Sequence, residues 1–321
     1  MTPLISIQTL QDKMNATIIG QEKIVQRLII GLLANGNLLV EGLPGLAKTR
    51  AVRAMANAIE SKFSRIQFTP DLLPSDVTGS ENMYEENGQY QFKFEKGPIF
   101  GNIVLADEIN RAPAKVQSAM LEAMEERQVT IAGKTHKMPK LFIVMATQNP
   151  VEQEGTYPLP EAQMDRFLMH INIEYLSSED ELKMLQMLKK EKNQAPQIEE
   201  KISQDVIFAA REEIENISVS LEIERYIVDL VFATRYPEKY SEELASFIDV
   251  GVSPRATIAL ETCARVHAYL KGRDFVQAED VTAVINDVFR HRLTLSYTAM
   301  AKAKSADEVI NLLHSQVAIS A

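Results

Sequence analysis

The sequence predicts an α/β fold: a parallel sheet with helices, followed by an all-α domain. Three observations carry this. Short apolar runs at 38–40, 63–68, 103–106, 141–146 and 167–173 are separated by helical or loop segments. Such runs suit strands buried on both faces of a parallel sheet, and their alternation with helices marks the α/β class. After about Tyr175 the strand signal disappears and helical periodicity takes over. The length of 321 residues suggests two domains, drawn here at 1–176 and 177–321.

Taken in order, Ile24, Val25, Leu28, Ile29, Leu32 and Leu33 fall at helical spacing, with Gly36 placed to cap that helix. Leu38-Leu39-Val40 runs into a glycine-rich turn, and Thr49–Ser61 reads as helix. Two segments interrupt the rhythm. Residues 79–94 carry Glu85-Glu86-Asn87-Gly88 between alternating aromatic flanks, a hairpin pattern. Residues 128–138 carry Val129-Thr130-Ile131 before Ala132-Gly133-Lys134, a second hairpin. Met120 and Met124 stand at helical spacing and read as core. Helices are expected at 178–192, 203–216, 221–235, 254–271 and 278–294, with a polar connector at 189–197. The stretch 303–321 is weakly amphipathic and is expected to fray or to pack late.

Composition excludes several classes. Hydrophobic residues make up 45% and charged residues 24%, the mixture of a soluble globular chain. With 34 basic against 44 acidic residues the net charge is −10, so no broad basic surface is available to track nucleic acid, and none is expected as a partner. The single cysteine, Cys263, cannot form an internal disulfide; it lies in an apolar helical stretch and reads as core, in keeping with a reducing cytoplasmic setting. No apolar run reaches the ~18 residues of a membrane span, so membrane insertion is not expected. Met1-Thr2-Pro3-Leu4-Ile5 lacks the pattern of a signal peptide. The five histidines lack metal-ligand spacing, and His267 and His291 read as structural or surface residues.

The strongest local signal is Gly42-Leu43-Pro44-Gly45-Leu46-Ala47-Lys48-Thr49, between a strand and a helix. That is the context of a phosphate-binding loop. Successive backbone N–H groups wrap phosphates and the helix points its positive end at them. Lys48 then faces the β- and γ-phosphates and the Thr49 hydroxyl faces Mg²⁺. Ala47 stands where glycine is usual, and keeps the N–H. A second signal is the strand Ile103-Val104-Leu105-Ala106 ending in Asp107-Glu108. Ligands sit at the carboxyl ends of such strands. Asp107 suits Mg²⁺, directly or through water, and Glu108 suits polarising an attacking water. A third is Asn149, after the strand ending in Ala146-Thr147-Gln148; a γ-phosphate or water contact and an ordinary polar turn before Pro150 read equally well there.

These residues closely resemble the MoxR family of AAA+ ATPases. The resemblance runs from Ile18-Ile19-Gly20-Gln21 to Gly251-Val252-Ser253-Pro254-Arg255-Ala256. Its most specific blocks are 67–76 (QFTPDLLPSD), 105–113 (LADEINRAP), 146–150 (ATQNP) and 154–167 (EGTYPLPEAQMDRF). The resemblance implies a three-layer P-loop domain and an α-helical lid. It implies ATP or ADP with Mg²⁺ as the bound group. Gly42, Pro44, Gly45, Leu46, Ala47, Lys48, Thr49 and Arg50 match the phosphate loop, and Ile18, Ile19 and Gly20 match the adenine-pocket segment. Thr49 and Asp107 match the metal site, and Glu108 the water-activating acid. Asn149 matches sensor 1, Arg166 an arginine finger given to a neighbouring subunit, and Arg255 the sensor 2 arginine that reaches the γ-phosphate. The two hairpins look like the inserts of the helix-2-insert branch, which usually face the ring pore or a client.

On spacing alone, Arg166 reads better as a surface partner of Asp165 or Glu161. Arg255 near a helix start runs against the helix dipole unless a phosphate lies nearby. Arg111, close to the acid pair, is a reserve choice for an inter-subunit arginine. The resemblance implies a ring homo-oligomer, expected to be a hexamer. It also implies an ATP-driven chaperone role on client proteins, often with a von Willebrand factor A domain partner. A metal-chelatase motor subunit, a nucleotide-gated scaffold and a nucleic-acid motor are the competing readings.

Overall fold

Thr2 caps α1 (Pro3–Thr17): its hydroxyl accepts from Ile5 N, and Pro3 sits in the first turn, where its missing N–H costs nothing. The computed structural model describes residues 2–42, 48–86, 89–149, 155–191 and 201–318. Sequence reading did not anticipate α1, whose buried stripe is only Ile7, Leu10 and Met14. Next, α2 (Glu22–Leu33) is buried over most of its length. Its end differs from expectation. Asn35, not Gly36, takes the left-handed turn, at φ +54°, and Gly36 N donates to Gly31 O at 3.0 Å. Gly36 is needed for space, since a Cβ there would lie 2.5 Å from the Leu168 side chain.

The chain then builds the expected α/β unit. It comprises β1 (Leu38–Gly42), α3 (Lys48–Ala58), β2 (Phe63–Gln67), α4 (Pro74–Thr78), β3 (Gly79–Glu86), β4 (Gln89–Lys96), β5 (Ile103–Asp107), α5 (Ala114–Glu126), β6 (Gln128–Ile131), β7 (Lys134–Lys137), β8 (Ile143–Gln148), α6 (Glu161–Met164) and β9 (Met169–Ile173). Five strands form one parallel sheet in the order β2-β5-β8-β1-β9. Both faces are apolar. Leu38, Val40, Ile103, Leu105, Ile143 and Met145 face a core shared with α2 and α3, while Leu39, Val104, Ala106 and Val144 face one built on α5 through Val116, Met120 and Met124. Sheet and helix layers on both sides make three layers.

Two strands begin later than the apolar runs suggest. Leu141 and Phe167 are buried but precede β8 and β9. Their carbonyls serve side chains instead: Leu141 O accepts from Asn102 Nδ2 at 2.9 Å and Phe167 O from His291 Nε2 at 3.0 Å. The hairpins are present, with β3–β4 extending to Lys96 and paired from Gly79↔Lys96 to Glu86↔Gln89. Its turn, residues 87–88, lies outside the described residues. Gly79 is required at its base: φ is +92° and a Cβ would meet Glu95 O at 2.1 Å. The hairpins touch each other, with Phe94 stacked on His136 at 3.9 Å and Lys134 3.3 Å from Glu81.

The C-terminal region is helical: α7 (Ser178–Glu191), α8 (Gln204–Glu215), α9 (Leu221–Arg235), α10 (Glu242–Phe247), then β10 (Ile248–Val250), α11 (Pro254–Leu270), α12 (Ala278–Phe289), β11 (Thr294–Leu295), α13 (Tyr297–Ala301) and α14 (Ala306–Gln316). Of the polar connector expected at 189–197, residues 192–197 lie outside the described residues. Three expectations change here. Strand signal does not vanish, because β10 and β11 pair antiparallel. The helix expected over 278–294 stops at Phe289, since Arg290, His291 and Arg292 turn back onto the sheet. The segment 303–321 is no fraying tail as far as Val317: Ser305 and Glu308 form a capping box, and Val309, Ile310 and Leu313 are buried. Cys263 is core as expected, its thiol pushed up to about 12 by burial. Among the described residues no helix is long and apolar enough to cross a membrane.

One buried cluster joins the sheet, α1, α2 and the helical region. Polar contacts reinforce it. Arg27 on α2 meets Asp287 on α12 at 2.6 Å, both nearly inaccessible. Arg292 Nε meets Asp165 at 2.8 Å, and Arg290 donates to His170 O. His291 lies edge-on to His170 at 5.9 Å. Because Phe167 O can only accept, His291 carries its proton on Nε2. Burial first, then the charges of Arg292, His170 and Arg290, push its pKa well below 6.5.

The unfolded chain protonates His291 below 6.5 and the folded chain does not, so stability is full above 6.5 and falls as pH drops below it. Each unit costs about 1.4 kcal/mol until the depressed folded value is reached. Urea unfolding between pH 7.5 and 5.5 should show this loss, and His291→Gln should flatten that part of the slope. An unchanged slope in the variant refutes the assignment.

Candidate functional site

The carboxyl ends of β1, β5 and β8 converge on one edge of the sheet. Gly42 ends β1 and lies so close to β9 that a Cβ would meet Ile173 Cβ at 2.9 Å. Its carbonyl accepts from Lys48 Nζ at 2.7 Å, and Gln148 O at the end of β8 accepts from the same amine at 3.1 Å. Lys48, Thr49 and Arg50 form the first turn of α3. Leu43, Pro44, Gly45, Leu46 and Ala47 lie outside the described residues. Glu41, one step before Gly42, sits 2.7 Å from His170 Nε2. The hydrogen bond to His170, then the charges of His170 and Lys48, hold its carboxyl below the ordinary value despite burial.

The acid pair is held by its neighbours. Asp107 Oδ1 accepts from Thr147 Oγ1 at 2.7 Å, and Arg65 reaches Asp107 Oδ2 from β2 at 2.6 Å. Glu108 adopts φ +59°, a left-handed turn that ends the strand, and its N–H donates to Thr147 Oγ1 at 2.9 Å. Its Oε2 accepts from Gln67 Nε2 and Arg111 Nη1, each at 2.9 Å. Asn149 follows β8 and is buried. The sequence-selected Lys48, Thr49, Asp107, Glu108 and Asn149 therefore share one sheet edge. Arg111 is bound to Glu108 within the chain. Thr49 and Asp107 offer oxygen donors only, which fits a magnesium ion completed by phosphate oxygens and water.

The Ile18-Ile19-Gly20 segment joins α1 to α2. Ile18 is buried, Ile19 half-buried, and Gly20 has φ +72° with Asp180 of α7 packed so near that a Cβ would lie 2.8 Å from it. Arg50 Nε donates to Thr17 O at 3.3 Å, tying this segment to α3.

Arg166 and Arg255 lie elsewhere. Both line a cleft of about 330 Å³ with Asn35, Asn37, Glu125 and Asp165. Asn37 precedes β1, so this cleft lies at the amino ends of the strands. Asn37 and Gly42 are five residue steps apart along the strand, roughly 16 Å at 3.3 Å per step. Arg255 is thus brought beside Arg166 and not beside Lys48 of the same chain. Sequence reasoning missed Arg65, Gln67, Thr147 and Glu125. Gln67 and Thr147 fall inside the specific blocks above; Arg65 and Glu125 carry no sequence signal.

Comparison with known proteins places the fold. Residues 37–169 match the model of the ATPase family associated with various cellular activities, and 243–313 match the AAA lid domain. The chain is 48% identical over 303 residues to the chaperone MoxR1 of Mycobacterium tuberculosis, covering 94% of this chain and 79% of that one. It is 31% identical to the protein MoxR of Paracoccus denitrificans, over 88% of this chain and 87% of the relative. The crystal structure of a candidate ATPase from Cytophaga hutchinsonii superposes with a TM-score of 0.91 at 43% identity, covering 99% of this chain and 96% of that one. With its three-layer α/β unit, its helical lid region and these relatives, the chain belongs to the MoxR family of AAA+ ATPases.

Proposed function

We propose that this chain hydrolyses ATP as a ring of identical subunits and uses the turnover to remodel or assemble client proteins. The observation that carries this reading is the separation of the two halves of the chemistry. Lys48, Asp107, Glu108 and Asn149 gather at one sheet edge, and Arg166 with Arg255 at the other. A site that needs both must be shared between two copies. The phosphate loop and the Ile18–Gly20 segment would hold the nucleotide of one subunit. The cleft arginines of the next would reach its terminal phosphate. The division at about residue 176 belongs to this proposal, with the later helices as the lid.

In this reading Lys48 sets its positive charge against the β- and γ-phosphates. Glu108 accepts the proton of the attacking water, and Gln67 and Arg111 hold its carboxylate until then. Asn149 orients the water or the phosphate. Mg²⁺, when bound, neutralises phosphate charge, and Thr49 and Asp107 are the residues that would hold it. The β3–β4 hairpin exposes Met83, Tyr90 and Phe92 at 58, 66 and 65%, apolar side chains suited to gripping a client. A von Willebrand factor A domain partner and a cytoplasmic setting are part of the same proposal.

Lys48→Ala should abolish nucleotide binding in a fluorescent-nucleotide titration. Unaltered affinity would reject the phosphate loop. Glu108→Gln should keep ATP affinity and lower turnover by about 10²–10⁴. Wild-type phosphate release in that variant would place the base elsewhere.

Arg166→Ala should bind ATP normally and lose about 10³–10⁵ in turnover. Mixing it with Lys48→Ala should restore hydrolysis, because an intact pocket then meets an intact arginine. No restoration in mixed assemblies shown to contain both variants counts against the shared site. Arg255→Ala should give the same complementation, since Arg255 lies in the same cleft.

A further inference from the structure

Glu125 lies in the last turn of α5, where the helix end carries partial negative charge and a carboxylate is disfavoured. Two guanidinium groups offset that cost. Arg166 Nε stands 3.0 Å from Glu125 Oε2, and Arg255 Nη2 donates to Glu125 Oε1. The cleft's other carboxylate, Asp165, is already engaged. It meets Arg292 Nε at 2.8 Å, accepts from Ser253 Oγ at 2.9 Å, and lies 3.8 Å from Arg255 Nη1. Counting the cleft's formal charges, Arg166, Arg255 and Arg292 give three positive and Glu125 and Asp165 two negative, a net of one positive.

The two kinds of anchor differ in burial. Arg292 is almost inaccessible, whereas Glu125 and Arg166 are each about a third exposed and Arg255 about half. The Arg292–Asp165 pair is built to stay, and the Glu125 pairs can exchange. A phosphate offers more charge and more acceptor oxygens than one carboxylate, and arginine binds it in the same forked geometry.

We propose that Glu125 is a counter-ion latch: it occupies Arg166 and Arg255 within a single subunit, and the terminal phosphate of a nucleotide held by a second copy of this chain displaces it. This rests on the shared-site reading above. It adds that assembly in the ATP state must first break Glu125's two ion pairs, so the latch raises the protein concentration at which ATP-bound subunits join. ADP lacks the displacing phosphate, so the latch stays shut in the ADP state.

The test follows self-association of the full chain by sedimentation velocity, in a Glu108→Gln background that retains ATP. Adding Glu125→Gln should lower the half-assembly concentration about threefold to tenfold with ATP, the range expected for two partly exposed ion pairs, and by less than twofold with ADP. Glu125→Ala, which also removes the hydrogen-bond acceptors, should shift it at least as far. Thermal melts check that both variants fold. An unchanged midpoint in both variants overturns the latch. So does an equal shift with ADP, or a shift to higher concentration, which would mean that Glu125 holds the arginines in their working geometry. Arg166→Ala separates the two levels. If it alters neither assembly in this background nor turnover in the otherwise wild-type chain, the shared site itself fails. If it impairs them while both Glu125 variants behave as wild type, the latch alone fails.

Discussion

Every strand of the central sheet points the same way, and the rest of the molecule is arranged around that polarity. Parallel pairing with both faces covered leaves only two edges for chemistry. The carboxyl edge receives Asp107 as the last residue of β5, Glu108 and Asn149 directly after β5 and β8, and Lys48 at the start of α3, where its amine reaches the carbonyls that end β1 and β8. The amino edge receives Asp165 and Arg166 because they precede β9, and Arg255 because α11 starts beside them. No side chain spans the roughly 16 Å between these edges. Sheet direction therefore keeps the two sets of residues apart within one chain, which is the premise of the shared-site proposal.

The second constraint is the docking of the helical region. Its buried cluster is continuous with the sheet's, and charged residues fix the angle. Arg290 donates to the His170 carbonyl in β9, and Arg292 to the Leu168 carbonyl just before it. They also pair with Asp287, Asp307 and Asp165. Guanidinium groups buried this deeply are tolerated only with every donor matched, and such matching fixes orientation more than it adds stability. Its consequence is positional: Ser253 and Arg255, at the start of α11, are held against Asp165. The arginine contributed by the helical region thus takes its place from contacts far from any phosphate.

Much of this was legible in the sequence. Buried parallel strands show as unbroken apolar runs, and the phosphate loop and acid pair show as strand ends with unusual polar residues. The failures share one cause: local pattern carries no information about who the distant partner is. Apolar Leu141 and Phe167 look like strand but spend their carbonyls on Asn102 and on His291. His291 reads as structural or surface, and only the fold decides between them: it is buried as a neutral donor to Phe167 O. Glu125 sits in Met124-Glu125-Glu126-Arg127, an ordinary charged helix end, and only the folded chain brings two arginines to it. The reach of Arg255 could not be read either, because a sequence does not say at which edge of the sheet a helix begins.

Charge pairing also explains how the acid pair can wait. Asp107 and Glu108 stand side by side, and adjacent carboxylates repel unless cations or donors intervene. Arg65 takes Asp107, Gln67 and Arg111 take Glu108, and Gln67 Oε1 in turn accepts from Arg65 at 2.6 Å. The donors come from β2 and from the turn after β5, so they are set by the sheet and not by the nucleotide. Any movement of β2 against β5 would shift Arg65 and Gln67 together and loosen both acids at once. The β3–β4 hairpin follows β2 through α4, and Phe94 of that hairpin packs on Phe100, just before β5. A load on the hairpin's exposed aromatics therefore has a short covalent and packed route to the acids, and that route runs through residues that hold Glu108 rather than through Glu108 itself.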